Sequence, residues 1–445
     1  MFIPKLSPVV YSYDNDGARG TFGHHDERTP ENKDLSKAVL NNNERNDHVG
    51  KDNRSSGDSE GTNDDTATSA RLLKDATAVS DDPDKLSSPY ILTKEEQAFC
   101  SGEEFKPPPK QFYKDKGKAK VILYYQEGNH FPEKKGGFSE QCLRPTRGPC
   151  TMTFDRSQQT KAHAVVFHAS KMHRSAPPFR KPPGQIWVAR GMEAPNHWYL
   201  GYKSPRWRGV FNWTMTYRTH SDFFAPIGQL VRLDSPPKKD FRRIVARKTR
   251  SVAWFVSSCD TQYKYGSRRE DYAKELGKHI DVDIYGECGS LSCPKKHGSL
   301  CDDLLTHKYR FYLSFENSLC REYVTEKFFD KFGEDVDIVP VVLGGVDYQK
   351  YFPEGTYINT ADFPSPRGLA RYLHALGENL EAYTAMLERK ARYTHSRCRS
   401  TEPWCRLCDM LHEPNLTSKV YEDLPAWLET DACVESSKLS YYKKV

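Results

Sequence analysis

From residue 251 to residue 377 the chain alternates two kinds of segment. Residues 251–258 (SVAWFVSS), 282–286 (VDIYG), 310–316 (RFYLSFE) and 338–345 (IVPVVLGG) are short runs of apolar, β-branched and aromatic residues. Between and after them lie amphipathic segments at 268–279 (RREDYAKELGKH), 325–332 (TEKFFDKF) and 365–377 (SPRGLARYLHALG). Such runs read as strands buried on both faces, and helices between them carry the chain back to start the next strand in the same direction. The expected product is a parallel sheet with crossover helices, whose ligands sit outside the carboxyl ends of the strands.

Upstream, 119–128 (AKVILYYQEG), 163–170 (HAVVFHAS), 184–193 (GQIWVARGME) and 211–222 (FNWTMTYRTHSD) are further strand candidates, enough for a first α/β domain. A basic, proline-bearing piece at 232–250 (RLDSPPKKDFRRIVARKTR) reads as the linker between the two. Residues 14–85 are dominated by Asp, Asn, Ser, Thr, Gly, Glu and Lys. They bury too little apolar surface to offset the entropy of ordering, so a disordered stem is expected. The resulting division is a stem over 1–95, a first domain over 96–238, a second over 239–425 and a tail over 426–445.

A net charge of +6, from 66 basic and 60 acidic residues intermixed along the chain, suits an anionic small molecule. No arginine-rich arm, zinc-finger spacing or RNA-binding aromatic motif is present, so no nucleic-acid partner is expected. Twelve cysteines and sequons at Asn53, Asn212 and Asn415 indicate the secretory route, with Asn212 and Asn415 as the expected glycan sites. No run of about 20 apolar residues occurs, so no transmembrane segment is expected within this sequence.

The densest chemistry lies where the strand at 310–316 meets the helix at 325–332. Thr325 can cap that helix, with Glu326 and Lys327 in its first turn, where free N–H groups and the helix dipole favour an anion such as phosphate. Lys327 then adds charge on a diphosphate, and Glu326 accepts from sugar or ribose hydroxyls. An ordinary surface Glu–Lys pair has the same spacing. Asp281–Val282–Asp283 and Asp335–Val336–Asp337 match the spacing that holds a divalent ion on a nucleotide sugar, although Asp283 alternates within a mostly apolar strand.

The segment 309–329 (YRFYLSFENSLCREYVTEKFF), followed by VPVVLGG at 339–345 and DFPSPRGLARYL at 362–373, resembles the donor-binding signature of the α-1,3-fucosyltransferases, glycosyltransferase family 10. The likeness continues through VAWFVSSCD, VDIYGECG, WCRLC and FNWTMTYRTHSD, over about residues 120 to 412, and its surroundings are closest to invertebrate members. It implies two facing Rossmann-like domains of the GT-B type, the first holding a glycan acceptor and the second GDP-fucose. The implied reaction is an inverting transfer of fucose to the 3-hydroxyl of GlcNAc on a glycoprotein glycan, with the acceptor open between the N-glycan core and an antenna and the surroundings of GECG and WCRLC tilting toward N-glycans.

By the same resemblance Glu193 is the general base, and Arg269 binds the diphosphate, with Arg268 as its neighbouring competitor. Lys327 binds the diphosphate too, Glu326 holds sugar hydroxyls, and Glu316, Asn317 and Tyr323 line the donor pocket. Cys142, Cys150, Cys405 and Cys408 form a disulfide set of open pairing, and Cys288, Cys293 and Cys301 supply at least one more bridge. No metal is obligatory, and a lumenal Golgi protein with a single-pass type II anchor outside this sequence is implied. Two segments bordering the donor site depart from the family pattern: 257–271 is longer, and 328–342 inserts Gly333 and acidic residues. The alternatives are a metal-dependent transferase of another nucleotide sugar, working through Asp281 and Asp283, and an inactive glycan-binding relative.

Overall fold

The computed structural model describes residues 71, 86–101, 116–125, 142, 146–169, 172, 176–198, 200–293, 298–396, 402–414, 416 and 419–439. Six strands, β1 (Lys120–Tyr124), β2 (Cys150–Thr153), β3 (Ala164–His168), β4 (Ile186–Gly191), β5 (Trp213–Thr216) and β6 (Phe223–Phe224), form a sheet in the order β2-β1-β3-β4-β5-β6. Every pairing in it is parallel. β5 is buried at all four positions and β3 at all but His168, as strands covered on both faces must be. Among the described residues, the connections run through loops and short 3-10 turns.

A short ladder follows, in which β7 (Leu230–Arg232) pairs antiparallel with a later strand. Helix α1 (Phe241–Ala246) then occupies part of the segment read as a linker; Asp240 caps it by accepting from the Arg243 N–H, and Phe241 and Val245 enter the core. The second sheet contains β8 (Arg250–Val256), β9 (Val282–Gly286), β10 (Tyr309–Phe315), β11 (Val339–Leu343) and β12 (Ile358–Asn359), in the order β12-β11-β10-β8-β9, again all parallel. Helices α2 (Arg269–Leu276), α3 (Gly298–Lys308), α4 (Glu326–Phe329), α5 (Pro366–Glu378) and α6 (Leu380–Lys390) connect and cover it.

Helix α5 illustrates how local sequence sets these elements. Ser365 accepts from the Gly368 N–H, Pro366 opens the helix where no N–H is needed, and Leu369, Leu373 and Leu376 line one buried face. The chain leaves β8 for β9 on one side and later places β10 on the other, so the switch point of the sheet lies between β8 and β10. The ladder is completed by β13 (Tyr393–His395), which pairs with β7.

The last two helices return to the first sheet. Trp404, Leu407 and Leu411 of α7 (Glu402–Leu411) pack on the face made by Ile122, Val166 and Val188. Leu424 and Leu428, from α8 (Leu424–Glu429), pack on the opposite face beside Phe167, Trp187 and Trp207. Cys142–Cys405 and Cys150–Cys408 bridges fix α7 there. Two boundaries therefore move. The stem does not extend to residue 95, because Tyr90 is 1% exposed among Phe224, Phe329 and Phe352, and Leu92 N–H donates to the Leu230 carbonyl. The tail begins after rather than at residue 426, because Leu428 is fully buried and Cys433 is bridged to Cys320. Residues 1–85 of the expected stem lie outside the described residues, apart from Arg71. No helix among the described residues is long and apolar enough to cross a membrane.

Candidate active site

The carboxyl ends of β8 and β10 meet at the switch point, and Arg269 stands there as the first residue of α2. It is 4% exposed. Its guanidinium donates to the carbonyl of Phe315, the last residue of β10, at 3.0 Å and to Ser258, just beyond β8, at 2.9 Å. Its Nε–H finds no hydrogen-bond partner among the described residues and lies 3.6 Å from Glu270 Oε1. Arg268, in the left-handed backbone region at φ 48°, turns to Asp271 instead.

Glu316, directly after β10, is fully buried. Its carboxyl accepts from the Thr325 N–H at 2.8 Å and from the Thr325 hydroxyl, which fixes the start of α4. Burial holds that carboxyl above the usual carboxylate range despite Lys327 nearby. Thr325 caps α4 as expected, accepting from the Lys327 N–H. The helix is a single turn, continued by a 3-10 turn that ends before Gly333.

The Lys327 ammonium sits 2.9 Å from Thr325 Oγ1, 3.0 Å from Glu326 and 3.6 Å from Glu316, with its side chain about a quarter exposed. Burial opposes its charge, but Glu326 and Glu316 outweigh that and hold it above the ordinary lysine range. Lys327 is therefore a fixed cation at neutral pH. Glu326 is half exposed beside it. Asn317 is held by its carbonyl, which accepts from the Ser267 N–H and the Tyr263 hydroxyl, while its Oδ1 is buried without a partner among the described residues.

Glu193 comes from the other sheet, two residues past β4. Trp198 lies so close to Gly191 that a Cβ there would be 2.0 Å from its ring, and its indole N–H donates to the Glu193 carbonyl at 3.0 Å. The loop thus folds over a position that only glycine allows. Ala194 is buried in a small cluster with Tyr217, Cys320 and Tyr323. Three hydrogen bonds then join this one loop to the second sheet's loops. The Tyr323 hydroxyl donates to Glu193 Oε2 at 2.7 Å, Asn196 donates to Ser318 Oγ at 3.0 Å, and His197 Nε2 meets the Tyr263 hydroxyl at 2.7 Å.

Burial lowers the His197 pKa, and Lys327 and Arg269 lower it further against the pull of Glu193, so the imidazole is neutral at neutral pH. The carboxyl edges of both sheets consequently converge, and Glu193, Lys327 and Arg269 all act on the His197 imidazole there. Sequence reading missed Asn196, His197, Tyr263 and Ser318. The polar cluster Asn196–His197, directly after a buried strand and Glu193, was the available signal.

Several expected residues lie elsewhere. Asp283 is at the amino edge of the second sheet, accepting from Arg250 Nε at 2.9 Å and from the Tyr309 hydroxyl at 2.5 Å, each of these donors being the first residue of its strand. Asp337 pairs with Lys239 at 3.1 Å. The Asp-x-Asp pairs thus stand away from the convergent site, and Asp283 is already held by charge and hydrogen bonds. Asn212 is not a glycan site: it is 3% exposed, its Oδ1 accepts from the Trp187 N–H and Lys181, and its Nδ2 donates to the Lys419 carbonyl. Asn415 lies outside the described residues.

Cys293–Cys301 is a local bridge, and Cys259–Cys288 ties the long 257–271 segment to the end of β9. Cys150, Cys408 and His412 cluster, but the two sulfurs are bonded to each other and offer no thiolate for a metal.

Two family profiles match the chain. "Fucosyltransferase, N-terminal" covers residues 117–228 and "Glycosyltransferase family 10 (fucosyltransferase) C-term" covers residues 245–427, each spanning one of the two sheets. Among curated proteins, alpha-(1,3)-fucosyltransferase C of Drosophila melanogaster is 36% identical over 59% of this chain and 64% of its own length. Alpha-(1,3)-fucosyltransferase 7 of Rattus norvegicus is 33% identical over 69% of this chain and 79% of its own. A solved α1,3-fucosyltransferase structure with GDP aligns at TM-score 0.46 and 15% identity, over 74% of this chain and 98% of that one. The chain spans a little under two thirds of the fly relative it matches. With one relative matched over most of its length and both sheets covered by the two profiles, the chain belongs to glycosyltransferase family 10, the fucosyltransferases.

Proposed function

We propose that the chain is an inverting α-1,3-fucosyltransferase that moves fucose from GDP-fucose to the 3-hydroxyl of a GlcNAc residue on a glycoprotein glycan. The observation that carries this reading is that a half-buried carboxylate of the first sheet, Glu193, and two cations of the second, Lys327 and Arg269, all act on one imidazole, His197, which joins the loops of the two sheets. Relatives named as α-(1,3)-fucosyltransferases support the linkage.

In this reading Glu193 takes the proton from the acceptor hydroxyl as that oxygen attacks the anomeric carbon of fucose from the face opposite GDP. The C–O bond to the diphosphate breaks in the same displacement, and inversion needs no covalent intermediate. Negative charge builds on the departing β-phosphate. Lys327 reaches it directly, and Arg269 adds charge from beneath with its free Nε–H, so electrostatic stabilisation takes the place of a general acid. Glu326, beside Lys327 and half exposed, accepts from donor hydroxyls, and Asn317 offers its unpartnered Oδ1.

The five described disulfides fit the oxidising lumen of the secretory route, and we place the chain in the Golgi lumen. The test is a screen of nucleotide sugars against GlcNAc-bearing glycans, N-glycan cores included, read by product mass and linkage. Fucose in α-1,3 linkage from GDP-fucose alone is expected; transfer of any other sugar overturns the assignment.

A further inference from the structure

Tyr323 was expected to line the donor pocket, but its side chain is committed elsewhere. It is 1% exposed, its ring meets Tyr217 edge-on at 5.2 Å, and its hydroxyl donates to Glu193 Oε2 at 2.7 Å. Burial first, and then the Glu193 charge, hold the phenol well above its ordinary pKa, so it remains a proton donor at any working pH. The other Glu193 oxygen takes no hydrogen bond from the described residues.

The loop that presents Tyr323 is anchored on both sides. Arg321 N–H donates to the Ala432 carbonyl at 2.7 Å, Val434 N–H donates to Leu319 at 2.9 Å, and the Cys320–Cys433 bridge lies between these bonds. Gly345 permits this arrangement, because a Cβ there would be 2.5 Å from the Leu319 carbonyl carbon. Ala194, next to Glu193, is buried in the same cluster as Cys320 and Tyr323. A buried, doubly anchored hydroxyl therefore fixes one oxygen of the carboxylate and leaves the other without a partner among the described residues.

We infer that Tyr323 is a positioning residue for the base: it is supplied by the donor-side domain and orients Glu193 so that Oε1 faces the acceptor hydroxyl. The inference rests on the assignment of Glu193 as base. It also gives the C-terminal segment a part in catalysis, since Cys433 and Ala432 hold the loop on which Tyr323 stands.

The test uses the full chain carrying Tyr323→Phe, Glu193→Gln, or both, with kcat and KM measured for GDP-fucose and a GlcNAc-terminated acceptor, and GDP affinity by calorimetry. Phenylalanine keeps the ring packing and removes only the hydroxyl. Tyr323→Phe should lower kcat about 10- to 100-fold, because misplacement of a reacting group by about 1 Å costs rate of that order. The GDP dissociation constant should stay within twofold, and adding Tyr323→Phe to Glu193→Gln should change kcat less than twofold. Weakened or lost GDP binding in Tyr323→Phe, an unchanged kcat, or losses that multiply in the double variant overturn the inference. Full activity of Glu193→Gln alone instead removes the base assignment beneath it, so the two failures are distinguishable.

Discussion

The two domains use the same parallel sheet and secure it by different means. The second builds its cover locally: α2 and α3 lie between its strands, and α5 and α6 follow β12 in sequence. The first shows no α-helix between its strands among the described residues and takes its cover from α8 and from α7, which is held across sequence separations of 263 and 258 residues by Cys142–Cys405 and Cys150–Cys408. One domain is closed by crossover helices, the other by the far end of the chain. Because the proposed base is on the second kind and the proposed donor cations on the first kind, each half of the reaction should fail in its own way.

The largest effect is expected at Glu193. Glu193→Gln should cut kcat by about 10²- to 10⁴-fold, the usual worth of a general base, with GDP affinity unchanged. A fall in affinity matching the fall in rate would mean that the domains do not divide the labour this way. Next in size are the long-range bridges. Replacing Cys405 and Cys408 by Ser should destabilise the chain by about 2–5 kcal/mol, read by thermal unfolding. Transfer should be lost at lower temperature than GDP binding, since the locally covered domain keeps its own core. Coincident loss of both would make the two domains one cooperative unit.

Lys327→Ala should weaken GDP-fucose binding by about 10- to 100-fold, the range of a hydrogen bond to a charged group. An unchanged donor dissociation constant counts against the phosphate role. Loss of rate without loss of affinity would place Lys327 in the transition state alone.

The same contrast explains what could be read from the sequence. The second domain announces itself because its strands and helices alternate, so period and caps are visible within short windows: Ser365–Pro366 opens α5 and Thr325 caps α4 as their residue types require. The first shows its strands but not its cover, because nothing near β3 or β4 signals that Leu407 or Leu428 will pack there. At the site, Lys327 and Glu326 were legible from the cap that places them. The Tyr323 hydroxyl was not, since its partner is 130 residues away and the bond depends on how two sheets meet. Asn212 was misread for a related reason: a sequon states a recognition pattern, whereas burial against Lys181 and Lys419 is a tertiary fact. The linker likewise hid α1, whose buried Phe241 and Val245 stand in a basic, proline-bearing stretch.

The smallest effect is expected at Asp283, on the amino edge of the second sheet. Burial works against its charge, but hydrogen bonds from Arg250 and Tyr309 prevail and lower its pKa below the ordinary value. A carboxylate with a depressed folded-state pKa contributes stability above its unfolded pKa of about 3.9 and loses it as pH falls through the folded value. Asp283→Asn should therefore cost about 1–2 kcal/mol, a constant amount from pH 5 to 8, with the difference from the parent chain shrinking below about pH 4. Transfer activity should stay near normal in that variant, and excess EDTA should leave the parent enzyme active. If Asp283→Asn abolished transfer, and manganese restored activity to EDTA-treated parent enzyme, the amino edge would be the donor site after all. The carboxyl-edge assignment of Lys327 and Arg269 would then have to be abandoned.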